Sequence, residues 1–590
     1  VTLIAELESE RGIISRLDNL SSTSLTNKDN TMRPQPVAVR TWNLPGRFAL
    51  VQPISGDDAR KLVIPRKETR VSLTSFQEAQ NKYPRFVLVS GPGAGKSTVL
   101  QQMVLETAHM RRGSPVVALV PLLLNLAEWG ADQTLEAFVR ANWTLDFDPF
   151  RMAAKGKLIV FLDGLNEMGA TAASKAASIR NWLNGENAPQ RLIVTCRKGD
   201  YTPALDLGLP VIEIVDLTAD HAREYAQHFL GEVGARSFID SLYPPEDRLD
   251  RATRHIQQMA RNPFLLSALL ILRQRQPNEP LPSSTGGLMA ALIKELWSVQ
   301  PEEARAVAWE KIEAALVDLA FHMVDADMPP TISVENALEF VSPNPVLDAA
   351  VNIGLLDRNG ETVRFANPFV QDYFAALGLK HIGLPTRLTR PQFDHHNQRV
   401  PQRWDSPMMM LAGTAVNADS VVLNVAEVDP YLALACAVSG IEISDLTFDR
   451  VVNQLLTRLK TEGDLRVPVA RIMLPTEPEK AALILMEAMR DGGWSVRLAA
   501  ASALIGVDLP VKSALATALR DLENSTREST SAALRQFGKS ALPTLFQLIR
   551  SGEAKDRRGA AWALGELKET GIERNGGCAA AVGSPARPRR

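Results

Sequence analysis

Nine residues, Ser90 to Thr98, read SGPGAGKST. Glycines 91, 93 and 95 allow a backbone turn whose N–H groups face inward, a shape that cradles phosphate oxygens. Lys96 follows where an ammonium would reach β- and γ-phosphates, and Ser97 where a hydroxyl would ligate Mg²⁺, with Thr98 beside it. One position departs from the usual spacing: Ser90 stands where the first glycine of such a loop belongs.

Two further stretches supply what a phosphate loop needs. In KLIVFLDGLNEM an apolar run ends at Asp163, so its carboxylate stands at the tip of a buried strand, in place to hold Mg²⁺. Glu167, four residues on, is placed to orient or deprotonate an attacking water. In RLIVTCRKGDY, Arg197 sits just past the tip of the next apolar run, where a cation would meet a γ-phosphate. Cys196 reads as a small buried side chain, not a nucleophile.

The elements that must carry these residues have a strand–helix rhythm. Strands are predicted at 85–90, 115–124, 157–163, 191–196 and 211–215, with helix-period segments between them. Continuous apolar strands separated by helices predict a parallel sheet covered on both faces. From about 218 to 380 the pattern is mostly helical, with a strand–turn–strand near Gly354 to Phe365 marked by Asn359-Gly360, which suggests a winged-helix module. From about 404 onward the pattern is helical and then repeats: RVPVARIM, RLAAASAL, RESTSAAL and RRGAAWAL start at Arg466, Arg497, Arg527 and Arg557. A period near 30 residues with a helix in each unit predicts an α-solenoid.

The expected fold is therefore multidomain: a P-loop parallel α/β sheet, helical and winged-helix modules, and a C-terminal HEAT-like solenoid. The expected bounds are 1–80 for an N-terminal segment of unknown role, partly linker, 81–216 for the NTPase core and 217–300 for a helical domain. Beyond these come 301–385 for the winged helix, 386–460 for a helical connector, 461–571 for the repeats and 572–590 for a disordered tail.

Composition bounds the function. The 590 residues carry a formal net charge of −2 and are 45% hydrophobic, so no basic excess points to nucleic acid. Three cysteines, far apart, match no metal spacing and suit a reducing compartment. No apolar run is long enough to span a bilayer and no signal peptide is visible, so the expected location is cytoplasmic. The chain begins with Val1, and Met32 is its first methionine; a fragment or a displaced start is expected.

Together these stretches resemble the NACHT family of STAND signalling NTPases, the bacterial branch most closely. The matching pieces are GPGAGKST, VPLLLNLAEW, LIVFLDGLNEM, LIVTCRKGDY, NPFLL from Asn262 and VRFANPFVQDYFAA from Val363, spread over residues 84 to 380. The resemblance implies ATP or ADP with Mg²⁺ as ligands, held by Lys96, Ser97 and Asp163 with the small Gly164 beside it. It implies that Arg197 senses the γ-phosphate and that Pro263 packs near the base or ribose. Relatives often present a histidine to the ADP phosphates where this chain has Asn367, an amide that donates a hydrogen bond but carries no charge. Many relatives have DGLDE where this chain has Asn166, which leaves Glu167 as the lone nearby acid and implies slow hydrolysis.

The resemblance further implies an ATP/ADP-dependent switch: sensing of a protein or other large ligand by the repeats, homo-oligomerisation on activation, and, for the bacterial type, anti-phage defence. Two rivals stay open. One is an AAA+-like mechanochemical ATPase; the other is a helical-repeat scaffold with a vestigial nucleotide site. A small-molecule or nucleotide kinase is weaker, because nothing resembles an acceptor site or lid.

Overall fold

The computed structural model describes residues 48–51, 72–73, 76–113, 119–130, 132–245, 249–300, 305–342, 344–382, 387–393, 399–462 and 466–491, with residues 496, 500, 503, 550 and 561 singly. The repeat units predicted from Arg497 onward, the C-terminal tail and most of the first 80 residues lie outside these. Contacts divide the chain into two compact units, Val1–Arg387 with Gln402–Ala418, and Leu388–Pro401 with Asp419–Arg590.

The first unit is built on a seven-stranded sheet. Its strands are β1 (Phe48–Val51), β2 (Ser72–Leu73), β3 (Arg85–Ser90), β4 (Val120–Asn125), β5 (Leu158–Asp163), β6 (Arg191–Arg197) and β7 (Val211–Ile214), in the order β2-β1-β7-β3-β6-β5-β4. The five strands from β7 to β4 are parallel. The strand predicted at 115–124 begins only at Val120. The expectation of a purely parallel sheet is corrected at one edge, where β1 pairs antiparallel with β7 and with β2. Both added strands come from the N-terminal segment that sequence reading left without a role. They are four and two residues long, too short for a period-two pattern to stand out.

Side-chain alternation along the strands fills two cores. Phe86, Leu88, Ile159, Phe161, Ile193 and Ile212 join α2 (Lys96–Gly113) through Leu100, Met103 and Val104 on one face. Val87, Val89, Val160, Leu162, Leu192 and Val194 join α5 (Ala172–Leu183) through Ala176, Ile179 and Trp182 on the other. Helix α1 (Phe76–Lys82) precedes β3, and α3 (Leu135–Ala141) and α4 (Pro149–Ala154) lie in sequence between α2 and α5. The five parallel strands thus pack against helices on both faces, which leaves their ends as the main place for polar groups.

Helices follow: α6 (Ala219–Leu242), broken at Gly231, then α7 (Arg251–Met259), α8 (Pro263–Arg275), α9 (Thr285–Ser298) and α10 (Trp309–Asp325). A second, three-stranded antiparallel sheet has the order β8-β10-β9, from Thr331–Ser333, Thr362–Phe365 and Leu356–Asn359. Helices α11 (Val334–Leu338), α12 (Asn344–Ile353) and α13 (Pro368–Ile382) pack with it. The predicted turn is present one residue later than read: Asn359 pairs with Thr362, and Gly360 takes φ 54°. Helix α14 (Asp405–Thr414) closes the unit.

The second unit is helical: α15 (Ala418–Val428), α16 (Pro430–Val438), α17 (Asp445–Glu462), α18 (Arg466–Met473) and α19 (Pro478–Asp491). Helix α18 is the segment that opens the predicted repeats. Among the described residues no helix is long and apolar enough to cross a membrane.

Candidate functional site

The phosphate loop leaves β3 at Ser90 and enters α2 at Lys96. Gly93 and Gly95 both adopt positive φ, 68° and 83°, which a side chain would resist. Gly91 is exposed, and Ser97 and Thr98 stand in the first turn of α2. Ser90 has a use as a serine. Its buried hydroxyl donates to Gly91 O at 3.1 Å and accepts from Lys96 Nζ at 3.0 Å. Lys96 Nζ also donates to the carbonyls of Ser90 and Gly91, at 3.2 and 3.0 Å. Burial, and then the nearby Arg197, hold the Lys96 ammonium down to about 8.

The sheet order puts β6 between the loop strand and β5, so Arg197 and Asp163 emerge at neighbouring tips. Ser90 is in register with Arg197, and Leu162 with Val194. The next step of that register brings Thr195 to Asp163. The Thr195 hydroxyl donates to Asp163 Oδ1 and accepts from Gly164 N at 2.8 Å. A second link crosses the same two tips, from Arg197 N to Asn166 Oδ1 at 3.0 Å. The amide at 166 is therefore a bolt between the acidic turn and the arginine strand.

Glu167 closes a short 3-10 turn, its N–H donating to Gly164 O at 2.8 Å. Gly164, at φ 82°, takes a backbone conformation that a side chain would strain, and a Cβ there would lie 3.1 Å from Glu167 Oε2. Burial and then the Asp163 carboxylate push the Glu167 carboxyl up, while Arg197, Arg364 and Lys96 oppose this. Behind the turn, buried Lys175 donates to Trp129 O and, at 3.4 Å, to Met168 O.

Residues from the later helices reach the same loop. Asn262 and Asn367 cap α8 and α13, and each is followed by proline and phenylalanine. Pro263 is the first residue of α8. Asn367 Oδ1 accepts from Phe369 N at 3.0 Å, so the acceptor half of the amide serves the helix. Phe264 and Phe369 stack with ring centroids 5.9 Å apart. Asn262 Nδ2 donates to Pro92 O at 2.8 Å. Asp372 on α13 donates nothing but accepts from the Ser406 hydroxyl; burial pushes its carboxyl up to about 6, against that bond and Arg197.

Lys96, Asp163, Glu167 and Arg197 thus form one electrostatic cluster at the strand tips. Ser90, Thr195, Asn262, Phe369 and Asp372 lie around it, named or quoted within motifs by sequence reading but given no role at the site. A serine ending the apolar β3 and a threonine near the end of β6 were the available signal. Mg²⁺ takes few protein oxygens beside phosphate and water. A hydroxyl at Ser97 and a carboxylate at Asp163 fit that donor set, and the metal would supply charge neutralisation at the phosphates.

A scan against protein families and a comparison with curated proteins each return no match. Among solved structures, this chain is similar to a STAND protein with a tetratricopeptide repeat sensor from Pyrococcus horikoshii, at 13% identity and TM-score 0.28, over 86% of this chain and 78% of that one. It is also similar to a Walker-type ATPase of Pyrococcus abyssi at 13% identity and TM-score 0.24, over 51% and 93%. The Aeropyrum pernix ORC2 protein gives 12% and 0.24, over 54% and 97%. These likenesses are too distant to assign an activity.

Proposed function

We propose that this chain is an ATP/ADP-dependent signalling switch of the STAND class, in its NACHT branch. The observation that carries the reading is the meeting of Asn262 and Phe369 with the tip of the phosphate loop. A loop that holds phosphates and touches helices far along the chain can report its occupancy to them. A phosphate loop alone would fit any nucleotide enzyme.

In this reading Gly91, Gly93, Gly95, Lys96, Ser97 and Thr98 hold the phosphates, with Mg²⁺ on Ser97 and Asp163. Glu167 activates water slowly, Arg197 senses the γ-phosphate, and Pro263 and Asn367 border the nucleotide. The module of β8 to β10 with α10 to α13 acts as a winged helix. The C-terminal repeats take a protein or other large ligand, and the opened chain forms a homo-oligomer that signals in anti-phage defence. Moving a population from 1:99 to 99:1 takes about 5.5 kcal/mol of differential binding, which the γ-phosphate and the repeat ligand supply together.

The test is nucleotide content and turnover of purified protein, wild type beside Lys96→Ala. Co-purified ADP and turnover well below about one per second, both lost in the variant, are expected. Fast continuous hydrolysis would replace the switch with a mechanochemical ATPase. Absence of nucleotide from both proteins would leave a scaffold.

A further inference from the structure

The tip of the phosphate loop, Pro92-Gly93, is held from outside. Asn262 Nδ2 donates to Pro92 O at 2.8 Å. In a trans peptide the carbonyl and the following N–H point in opposite directions. Fixing Pro92 O toward Asn262 therefore aims the Gly93 N–H away from Asn262. On the same outer side a Cβ built on Gly93 would lie 2.9 Å from Phe369 Cε2 and 3.0 Å from Asn262 Oδ1. The bare Cα of Gly93 is thus a seat for two side chains from different helices. Phe369 is kept there by its stack on Phe264, and Asn262 by capping α8, its Oδ1 accepting from Phe264 N at 3.0 Å and Leu265 N at 3.3 Å.

We propose that Asn262 and Phe369 are positioning residues of the phosphate site: they set the Pro92-Gly93 peptide in the orientation that presents the Gly93 N–H to a nucleotide phosphate. The two helix starts act as one clasp, because the phenylalanines that follow the capping asparagines stack on each other. The inference deepens the switch reading and rests on it for the ligand. Its consequence is directional: displacing α8 or α13 frees the loop tip and weakens phosphate binding, and a bound phosphate favours the helices where they stand.

Asn262→Ser separates this role from folding. Serine remains a good helix cap but lacks the amide donor. Phe369→Leu keeps an apolar side chain and removes the stack. Hydrogen exchange of the peptide spanning residues 90–98 is measured first, in nucleotide-free full-length protein. With an unchanged melting temperature, exchange about tenfold faster is expected in Asn262→Ser from the loss of one hydrogen bond, and faster exchange in Phe369→Leu from the loss of the ring seated on Gly93. Exchange equal to wild type in both variants would overturn the clasp, whatever the protein binds. Calorimetric titration with ADP and with ATP is the second measurement. Asn262→Ser should weaken both nucleotides equally, by about tenfold, because both carry the phosphates that the loop holds. Unweakened ADP binding in a wild type that binds ADP would also overturn it. A wild type that binds neither nucleotide would instead defeat the switch reading, with the exchange result still deciding the clasp.

Discussion

Helix α8 opens Asn262-Pro263-Phe264 and helix α16 opens Asp429-Pro430-Tyr431. In both, the first residue caps the helix through Oδ1 and the proline takes the first helical position, where no N–H is needed. They differ in what the cap does with its other terminal atom. The amide at 262 has a donor left over and gives it to the phosphate loop. The carboxylate at 429 has only acceptors, and its Oδ2 takes Arg399 Nε and a terminal guanidinium nitrogen at 2.8 and 2.6 Å. Asp429 is fully buried, and Arg399 nearly so. One cap therefore couples a helix to a candidate ligand site, and the other ties Arg399 to the start of α16. The same local grammar also opens α4 at Asp148-Pro149-Phe150. There Asp148 caps Arg151 N and pairs with Arg140 in solvent, a purely local use.

The largest effect is expected where the contrast is broken at Asp429. Asp429→Ala leaves Arg399 buried without its carboxylate and removes two cap bonds, so it should cost about 3–5 kcal/mol in denaturant unfolding. ADP affinity should stay within about twofold of wild type, because the residue is outside the nucleotide unit.

A second buried acid sharpens the comparison in the opposite direction. Asp372 accepts from a hydroxyl where Asp429 accepts from a guanidinium, and burial pushes its carboxyl up to about 6. A raised folded-state value means that stability is lost as pH rises from the ordinary carboxyl range through 6. Asp372→Asn should therefore stabilise the protein at pH about 7.5 by at most about 3 kcal/mol, and the gain should vanish below pH about 4. Melting temperatures across that range are the check.

The phosphate loop offers a smaller effect. With Lys96 held down to about 8 by burial and by Arg197, the free protein loses that charge as pH rises past 8. ADP affinity should be flat below that point and fall about tenfold per pH unit above it, as binding takes up a proton. Calorimetry in buffers of different ionisation heat would detect the proton. The smallest expected losses belong to the helix starts themselves: Asn367→Ala should cost about 1 kcal/mol as a lost cap. Asp148→Ala, at a solvent-exposed start, should cost less than Asn367→Ala in the same unfolding assay.

Much of the candidate site was legible in the sequence. Asp163 and Arg197 were readable because each stands at the end of a continuous apolar run, where a strand buried on both faces has room for charge, Lys96 because it follows the glycine loop, and Glu167 because it lies four residues past Asp163. The five parallel strands followed from the same runs. The β1 and β2 edge was not legible, since a four-residue and a two-residue strand carry too few side chains to show a period. Thr195 and Asn166 were quoted within motifs but not understood, since their partners are set by strand register, 32 and 31 residues away.

Residue order alone thus determined that a phosphate loop, two acids and an arginine would stand at strand tips, because hydrophobic periodicity and glycine positions are local properties. The helix starts at Asn262, Asn367 and Asp429 are local as well, although sequence reading did not draw them out, since a short polar side chain before proline satisfies free N–H groups within its own turn. What the tertiary structure alone decided is where the remaining hydrogen-bonding atom of each cap goes. That choice depends on which distant backbone or side chain arrives within 3 Å, and helix packing, not local propensity, brings Pro92 to Asn262 and Arg399 to Asp429.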